Sequence, residues 1–80
     1  LGERTLLPGL IDMHVHLDSL AEEGGYDSLR FSDRFWAYVA ARNARTMLDA
    51  GFTTVRNVGS DDLNDVGLAE AIEAGAAYVP

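Results

Sequence analysis

The sequence contains no cysteine and no lysine. Without cysteine there is no disulfide framework and no thiolate metal site, so any metal must be bound by His, Asp or Glu. All six basic residues are arginine, against 13 acidic residues, and the formal net charge is −7. Because an acidic chain without a basic stripe is unsuited to nucleic acid or to anionic membrane surfaces, we expect neither as a partner.

Long apolar runs are also missing. No run approaches the roughly 20 residues of a membrane span, and no signal-peptide pattern is present, so we expect a cytoplasmic protein. The 80 residues are 48% hydrophobic and 24% charged, which is a globular balance, although a chain of this length is a marginal independent fold. The sequence begins without Met and stops straight after an apolar stretch. We therefore expect an N-terminal fragment of a longer protein.

Hydrophobic periodicity and turn residues divide the chain into alternating strands and helices. The predicted elements are a strand within residues 1–7, a strand over 10–17, a helix beginning at Ser32 and ending at Gly51, a strand over 52–58, a helix capped by Asn64 or Asp65 and ended by Gly75, and a strand opening at 76. This alternation predicts an α/β fold with parallel strands. A doubly wound sheet and a (β/α)8 barrel both fit.

The predicted strand over residues 10–17 has two different faces, because successive side chains alternate sides. One face carries Asp12, His14 and His16. The other face is apolar throughout: Ile11, Met13, Val15 and Leu17. The apolar face is suited to packing against helices, and the polar face favours a barrel interior. Both histidines lie at the carboxyl end of the strand, where (β/α)8 enzymes carry their chemistry.

Two histidines at positions i and i+2 of a strand can share one metal ion. Their Cα atoms lie roughly 6–7 Å apart at a rise of about 3.3 Å per residue, and nitrogens that bind at about 2.0–2.1 Å can converge from there. His14 and His16 are therefore the predicted metal ligands, and Asp12 is better placed to orient a ligand than to bind. Further ligands are expected beyond Pro80. The alternative is a pair of ordinary polar residues that face water.

Three segments resemble a known family. Residues 6–16, LLPGLIDMHVH, resemble the strand-1 signature of the amidohydrolase superfamily, Pro-Gly-x-Ile-Asp-x-His-x-His. Residues 50–59, AGFTTVRNVG, are similar to the second strand of its imidazolonepropionase-like and Xaa-Pro or Xaa-Arg dipeptidase branch, and residues 71–75 resemble the following helix. The resemblance covers essentially the whole chain.

The resemblance implies a metal-dependent hydrolase with a (β/α)8 TIM barrel. Residues 10–80 would form the first β-α-β-α units, and residues 1–9 the end of a small β-domain and a linker. One or two divalent metals, usually zinc, would be bound by His14 and His16. Hydroxide generated at the metal would attack an amide or ester carbonyl of a small molecule or dipeptide. The catalytic base would lie on later strands, so no catalytic residue is assigned here and the isolated chain is expected to be inactive.

One departure from the branch concerns the second strand. Asn57 stands where Asp is frequent, and an amide cannot accept an arginine bidentately as a carboxylate does. We assign Arg56 a supporting role in the barrel wall, as an ion pair or hydrogen bond, in preference to substrate contact. Tyr26 and Arg30 are either substrate contacts or solvated loop residues. The competing functions are deamination or lactone hydrolysis on the same barrel, or a non-catalytic fragment, and an oligomer is compatible with each.

Overall fold

The computed structural model describes residues 2–20 and 29–77, which form two βα units in sequence. The elements are β1 at Leu10–Val15, α1 at Asp33–Asp49, β2 at Phe52–Asn57, a 3-10 turn at Asp61–Leu63 and α2 at Asn64–Glu73. This order confirms the predicted alternation of strands and helices. Ala76 and Ala77 are not in a strand, and the rest of the predicted third strand lies outside the described residues, as does Tyr26.

The two strands pair in parallel, as the alternation predicted. Val15 pairs with Asn57, so the carboxyl ends of β1 and β2 lie at the same edge of the sheet. The backbone ladder continues one step further, because the Val58 N–H donates to the Val15 carbonyl oxygen at 3.0 Å. Both strands end slightly before the predicted limits, and this shared edge is where the predicted metal ligands lie.

Helix α1 begins and ends as its sequence predicts. The Ser32 hydroxyl accepts a hydrogen bond from the Phe35 N–H at 3.4 Å, which satisfies one of the free donors of the first turn. The chain leaves the helix through Gly51, whose φ of +102° is a conformation that side chains rarely adopt. Between these ends, the apolar stripe buries three residues: Trp36, Val39 and Ala40.

The core lies where both helices meet the end of β1. Leu17, Ala40 and Leu68 are its buried centre, at 8%, 1% and 9% exposure. Partly buried residues surround this centre: Val15, Ala41, Ala44, Met47, Val55 and Ala77. The predicted packing of the apolar face of β1 is therefore confirmed at its carboxyl end. At the other end, Ile11 and Met13 remain 60% and 56% exposed.

Residues 2–9 form no strand within the described part of the chain, and their place in a small β-domain stays a prediction. Gly9 approaches β2 closely: a Cβ on it would lie 2.0 Å from Thr53 Oγ1, so a side chain at position 9 would displace Thr53.

The predicted cap of α2 is wrong. Neither Asn64 nor Asp65 caps the helix through its side chain, because Leu63 occupies the N-cap position with φ +58° and makes no side-chain cap. The Asp65 N–H, at the first turn of the helix, donates instead to the Ser60 hydroxyl at 3.2 Å.

Within residues 2–20 and 29–77, no helix combines the length and apolar character needed to cross a bilayer.

Candidate metal centre

The two histidine side chains lie next to each other at the carboxyl edge of the sheet. His14 is the penultimate residue of β1, and His16 follows one residue after its end. Their ring centroids are 5.4 Å apart and their planes are inclined by 78°. Both residues are exposed. The alternation of the sequence therefore places the two imidazoles on one side, close enough to approach a common ion.

A backbone carbonyl orients the ring of His16. Its Nδ1 lies 3.0 Å from the Gly59 carbonyl oxygen. A carbonyl oxygen only accepts hydrogen bonds, so this contact requires the hydrogen on Nδ1, and in the neutral ring Nε2 then keeps the lone pair that a metal requires. Histidines that bind metals commonly donate their other ring nitrogen in this way. The contact joins positions 43 residues apart, and the sequence pattern did not reveal it.

Asp12 contacts the main chain of a predicted ligand. Its Oδ1 accepts the His14 backbone N–H at 3.0 Å, and the residue is half-buried. The structure thus places Asp12 beside the His14 backbone, and an orienting role toward a ligand ring stays a prediction.

Arg56 makes a hydrogen bond of the kind expected for a wall residue. Its Nε donates to the Met13 carbonyl oxygen at 2.7 Å, so this side chain on β2 ties down the β1 backbone. The pairing of the strands is irregular between Asp12 and Val15. In this interval, Arg56 engages the Met13 carbonyl oxygen, and the Asp12 carboxylate accepts the N–H of the next residue, His14.

Asn57 joins the segments that follow the two strands. Its Oδ1 accepts the Leu17 N–H at 3.1 Å, and its Nδ2 donates to the Gly59 carbonyl oxygen at 3.2 Å. That carbonyl is the acceptor of His16. Asn57 and His16 therefore share one acceptor, and the amide also holds the backbone directly after His16.

Asn43, the polar residue on the apolar stripe of α1, fastens the same segment from the helix. Its Nδ2 donates to the carbonyl oxygens of Leu17 at 2.6 Å and Ser19 at 2.8 Å. Its position on that stripe was the sequence signal for such a contact.

Asp18 is a buried carboxylate that the sequence reasoning missed. It is 9% exposed, and its Oδ2 accepts hydrogen bonds from the Ser60 hydroxyl at 2.9 Å, the Asp61 N–H at 2.8 Å and Asn64 Nδ2 at 3.2 Å. These contacts fasten the segment between β2 and α2 to the end of β1. The sequence does contain a signal for this residue, because Asp18 continues the alternation of polar residues at positions 12, 14 and 16.

The described residues bring two candidate metal ligands, His14 and His16, next to each other. Residues 2–20 and 29–77 contain no group of three or more His, Asp or Glu side chains able to hold an ion. An apolar groove of about 470 Å³ lies between the helices and β2, and its walls include Met47, Leu68 and Ile72. The histidines are not among the residues that line this groove.

The family of the chain follows from comparison with known proteins. The model of the amidohydrolase family matches residues 5–80. The chain therefore belongs to the amidohydrolase family, whose members are hydrolases that generally use divalent metals. This match confirms the predicted superfamily, while its imidazolonepropionase-like or dipeptidase branch stays a prediction. No curated protein matches the chain.

The residues present fit a divalent metal. Two adjacent imidazoles offer nitrogen ligands, and imidazole suits zinc among other divalent metals. The hydrogen bond from His16 Nδ1 to Gly59 leaves Nε2 as the binding atom. The donor set and its orientation thus agree with what the family generally uses.

Proposed function

We propose that the full-length protein is a metal-dependent hydrolase of amide bonds and that His14 and His16 supply two of its metal ligands. The observation that carries this proposal is the side-by-side arrangement of the two imidazoles, 5.4 Å between centroids, with His16 Nδ1 engaged by a carbonyl. Membership of the amidohydrolase family supports the hydrolytic reaction.

The chain's own residues hold and orient the binding atoms. The Gly59 carbonyl fixes the hydrogen of His16 on Nδ1, and Asp12 holds the backbone of His14. A bound divalent ion, which we propose to be zinc, supplies polarisation of the substrate carbonyl and activation of water. Catalytic zinc typically takes three protein ligands, so at least one further ligand comes from outside the described residues.

The proposed architecture is a (β/α)8 barrel that opens with β1, α1, β2 and α2. The parallel pairing of two βα units supports it, as does the position of both histidines at the carboxyl end of β1, since that end of the strands is the catalytic face of such barrels. The resemblance to the dipeptidase branch suggests dipeptides with a C-terminal proline or arginine as substrates.

A chelation experiment on the full-length protein tests this function. Hydrolysis of a dipeptide panel, with a lactone and an exocyclic amine added for the competing reactions, is measured before and after metal removal. We expect activity on the dipeptides to be lost with the metal and to return with zinc. Activity that persists after exhaustive metal removal would contradict the proposal.

Variants of the two ligands make the test specific. Loss of a group that hydrogen-bonds a metal ligand typically weakens metal binding by about 10–100-fold. His14→Asn and His16→Asn each remove a proposed ligand itself, so we expect each to weaken zinc binding by more than this. Asp49→Asn is the control, because Asp49 is exposed and pairs with Arg45 on the surface of α1. Its zinc affinity should equal that of the wild type.

A further inference from the structure

The ring of His16 lies directly against the backbone of Gly59. Besides the 3.0 Å contact between Nδ1 and the Gly59 carbonyl oxygen, a Cβ built on Gly59 would come within 3.2 Å of Cε1 and 3.4 Å of Nδ1 of the same ring. The absence of a side chain therefore lets the ring and the backbone approach each other. The direction of the Gly59 carbonyl then determines how the ring of His16 is held.

The peptide unit that carries this carbonyl also contains the Ser60 nitrogen, and a peptide unit is planar. Its upstream side is tied to the sheet, because the Val58 N–H donates to the Val15 carbonyl oxygen at 3.0 Å. Glycine has the most permissive backbone of all residues, so this upstream hydrogen bond does not by itself set the carbonyl direction across Gly59. The downstream side, at Ser60, has to be held as well.

Asp18 holds that downstream side. Its Oδ2 accepts hydrogen bonds from the Ser60 hydroxyl at 2.9 Å and from the Asp61 N–H at 2.8 Å. Asp18 is 9% exposed, so water competes little for these contacts, and hydrogen bonds to a charged acceptor are stronger than neutral ones. Asp18 also lies two residues after His16 in the chain. The same short stretch of chain thus carries the ring and the carboxylate that anchors the neighbour of its acceptor.

We propose that Asp18 is a positioning residue for the metal centre: by anchoring Ser60 and Asp61 it fixes the Gly59 carbonyl, which in turn holds His16 with Nε2 available to a metal. This inference rests on the proposed function where it concerns the metal. In the metal-free protein it concerns only the hydrogen bond from His16 Nδ1 to Gly59. A carboxylate with a purely structural role would stabilise the fold without affecting which ring nitrogen carries the hydrogen.

Variants of the donors separate positioning from general support of the fold. Ser60→Ala and Asn64→Ala each remove one side-chain donor to Asp18 Oδ2. Ser60 is bonded to Gly59, whereas Asn64 begins α2, so positioning predicts that only Ser60→Ala affects His16. Asp18→Ala removes all of these contacts. Asp18→Asn keeps an oxygen acceptor on a side chain of nearly the same shape, so it should retain most of the function that Asp18→Ala loses.

The experiment uses full-length protein labelled with ¹⁵N-histidine, at a pH where the imidazoles are neutral, and the His16 signals are identified by their loss in His16→Asn. In metal-free wild type we expect the hydrogen on Nδ1. Asp18→Ala should populate the form with the hydrogen on Nε2 and weaken zinc binding, measured by chelator competition, by about 10-fold, the lower end of the effect of losing a ligand's hydrogen-bond partner. Ser60→Ala should shift both readouts in the same direction by less, whereas Asn64→Ala and Asp18→Asn should stay near wild type.

An unchanged His16 tautomer in Asp18→Ala would overturn the inference. Equal effects of Ser60→Ala and Asn64→Ala would overturn it too, as would a wild-type His16 that carries its hydrogen on Nε2. If Asp18→Ala does not fold, Ser60→Ala decides, and a wild-type tautomer in that variant overturns the inference. A wild-type protein that binds no zinc rejects the proposed function instead, and the tautomer measurement still tests Asp18.

Discussion

Individual side chains hold the edge of the sheet where the candidate ligands lie. Asp18 is buried there and receives three hydrogen bonds from residues 60–64. A carboxylate taken out of water is tolerated when it accepts hydrogen bonds, as Oδ2 does here from three donors. Asp18 therefore stabilises the segment that contains the acceptor of His16, although it contacts neither histidine ring among the described hydrogen bonds.

Replacing Asp18 by alanine should destabilise the protein. The substitution leaves the Ser60 hydroxyl, the Asp61 N–H and the Asn64 amide without their acceptor, and we expect a loss of about 2–3 kcal/mol in the free energy of unfolding. Denaturant unfolding of the full-length protein measures it.

Asp49→Ala provides the comparison for this prediction, since it removes an exposed carboxylate that pairs with Arg45. Surface ion pairs contribute about 0–1 kcal/mol. Equal stability losses in Asp18→Ala and Asp49→Ala would show that the buried contacts of Asp18 do not stabilise the fold.

Pairing of the two strands depends partly on side chains. Between Asp12 and Val15 the register is irregular, and Arg56 donates to the Met13 carbonyl in that interval. Arg56 is exposed, so water competes for this contact and its energetic contribution is modest. The hydrogen bond accounts for the arginine at this position without a substrate contact.

Substitution of Arg56 by methionine distinguishes the supporting role from substrate binding. We expect a loss of about 1 kcal/mol in unfolding free energy, because one hydrogen bond to a charged group at an exposed site is removed. The KM of the hydrolysis should be unchanged. A rise in KM without a change in stability would assign Arg56 to substrate contact.

The sequence predicts the elements better than the contacts between them. Local periodicity and caps identify α1 with Ser32 at its start and Gly51 after its end, and the period of two places His14 and His16 together. The Asp18, Asn57 and Gly59 contacts join positions about 40 residues apart, which no local pattern encodes. The N-cap of α2 was missed because Leu63 occupies that position with a positive φ, a conformation that leucine rarely adopts.

The whole chain leaves much apolar surface uncovered. Among the described residues, these large side chains are more than half exposed: Leu6, Leu7, Leu10, Ile11, Met13, Leu29, Tyr38 and Leu63. Exposed apolar surface of this extent is typical of interfaces with further structure. It supports the proposal that further barrel elements pack against these two βα units.

The 80-residue chain expressed alone should therefore be marginally stable and inactive. Its core is small and its candidate centre holds two ligands among the described residues, so we expect a shallow unfolding transition, weak zinc binding and no turnover. Thermal unfolding and zinc titration of the isolated chain measure these properties. Tight, stoichiometric zinc binding together with turnover would refute this expectation.

The most direct test of the central claim is the location of the metal in crystals of the zinc-loaded, full-length protein. Anomalous diffraction at the zinc edge should show an ion about 2.0–2.1 Å from Nε2 of both His14 and His16, with His16 Nδ1 still donating to the Gly59 carbonyl. An ion bound elsewhere, or bound to His16 through Nδ1 with the Gly59 contact broken, would contradict the assignment of these two residues as the oriented metal ligands.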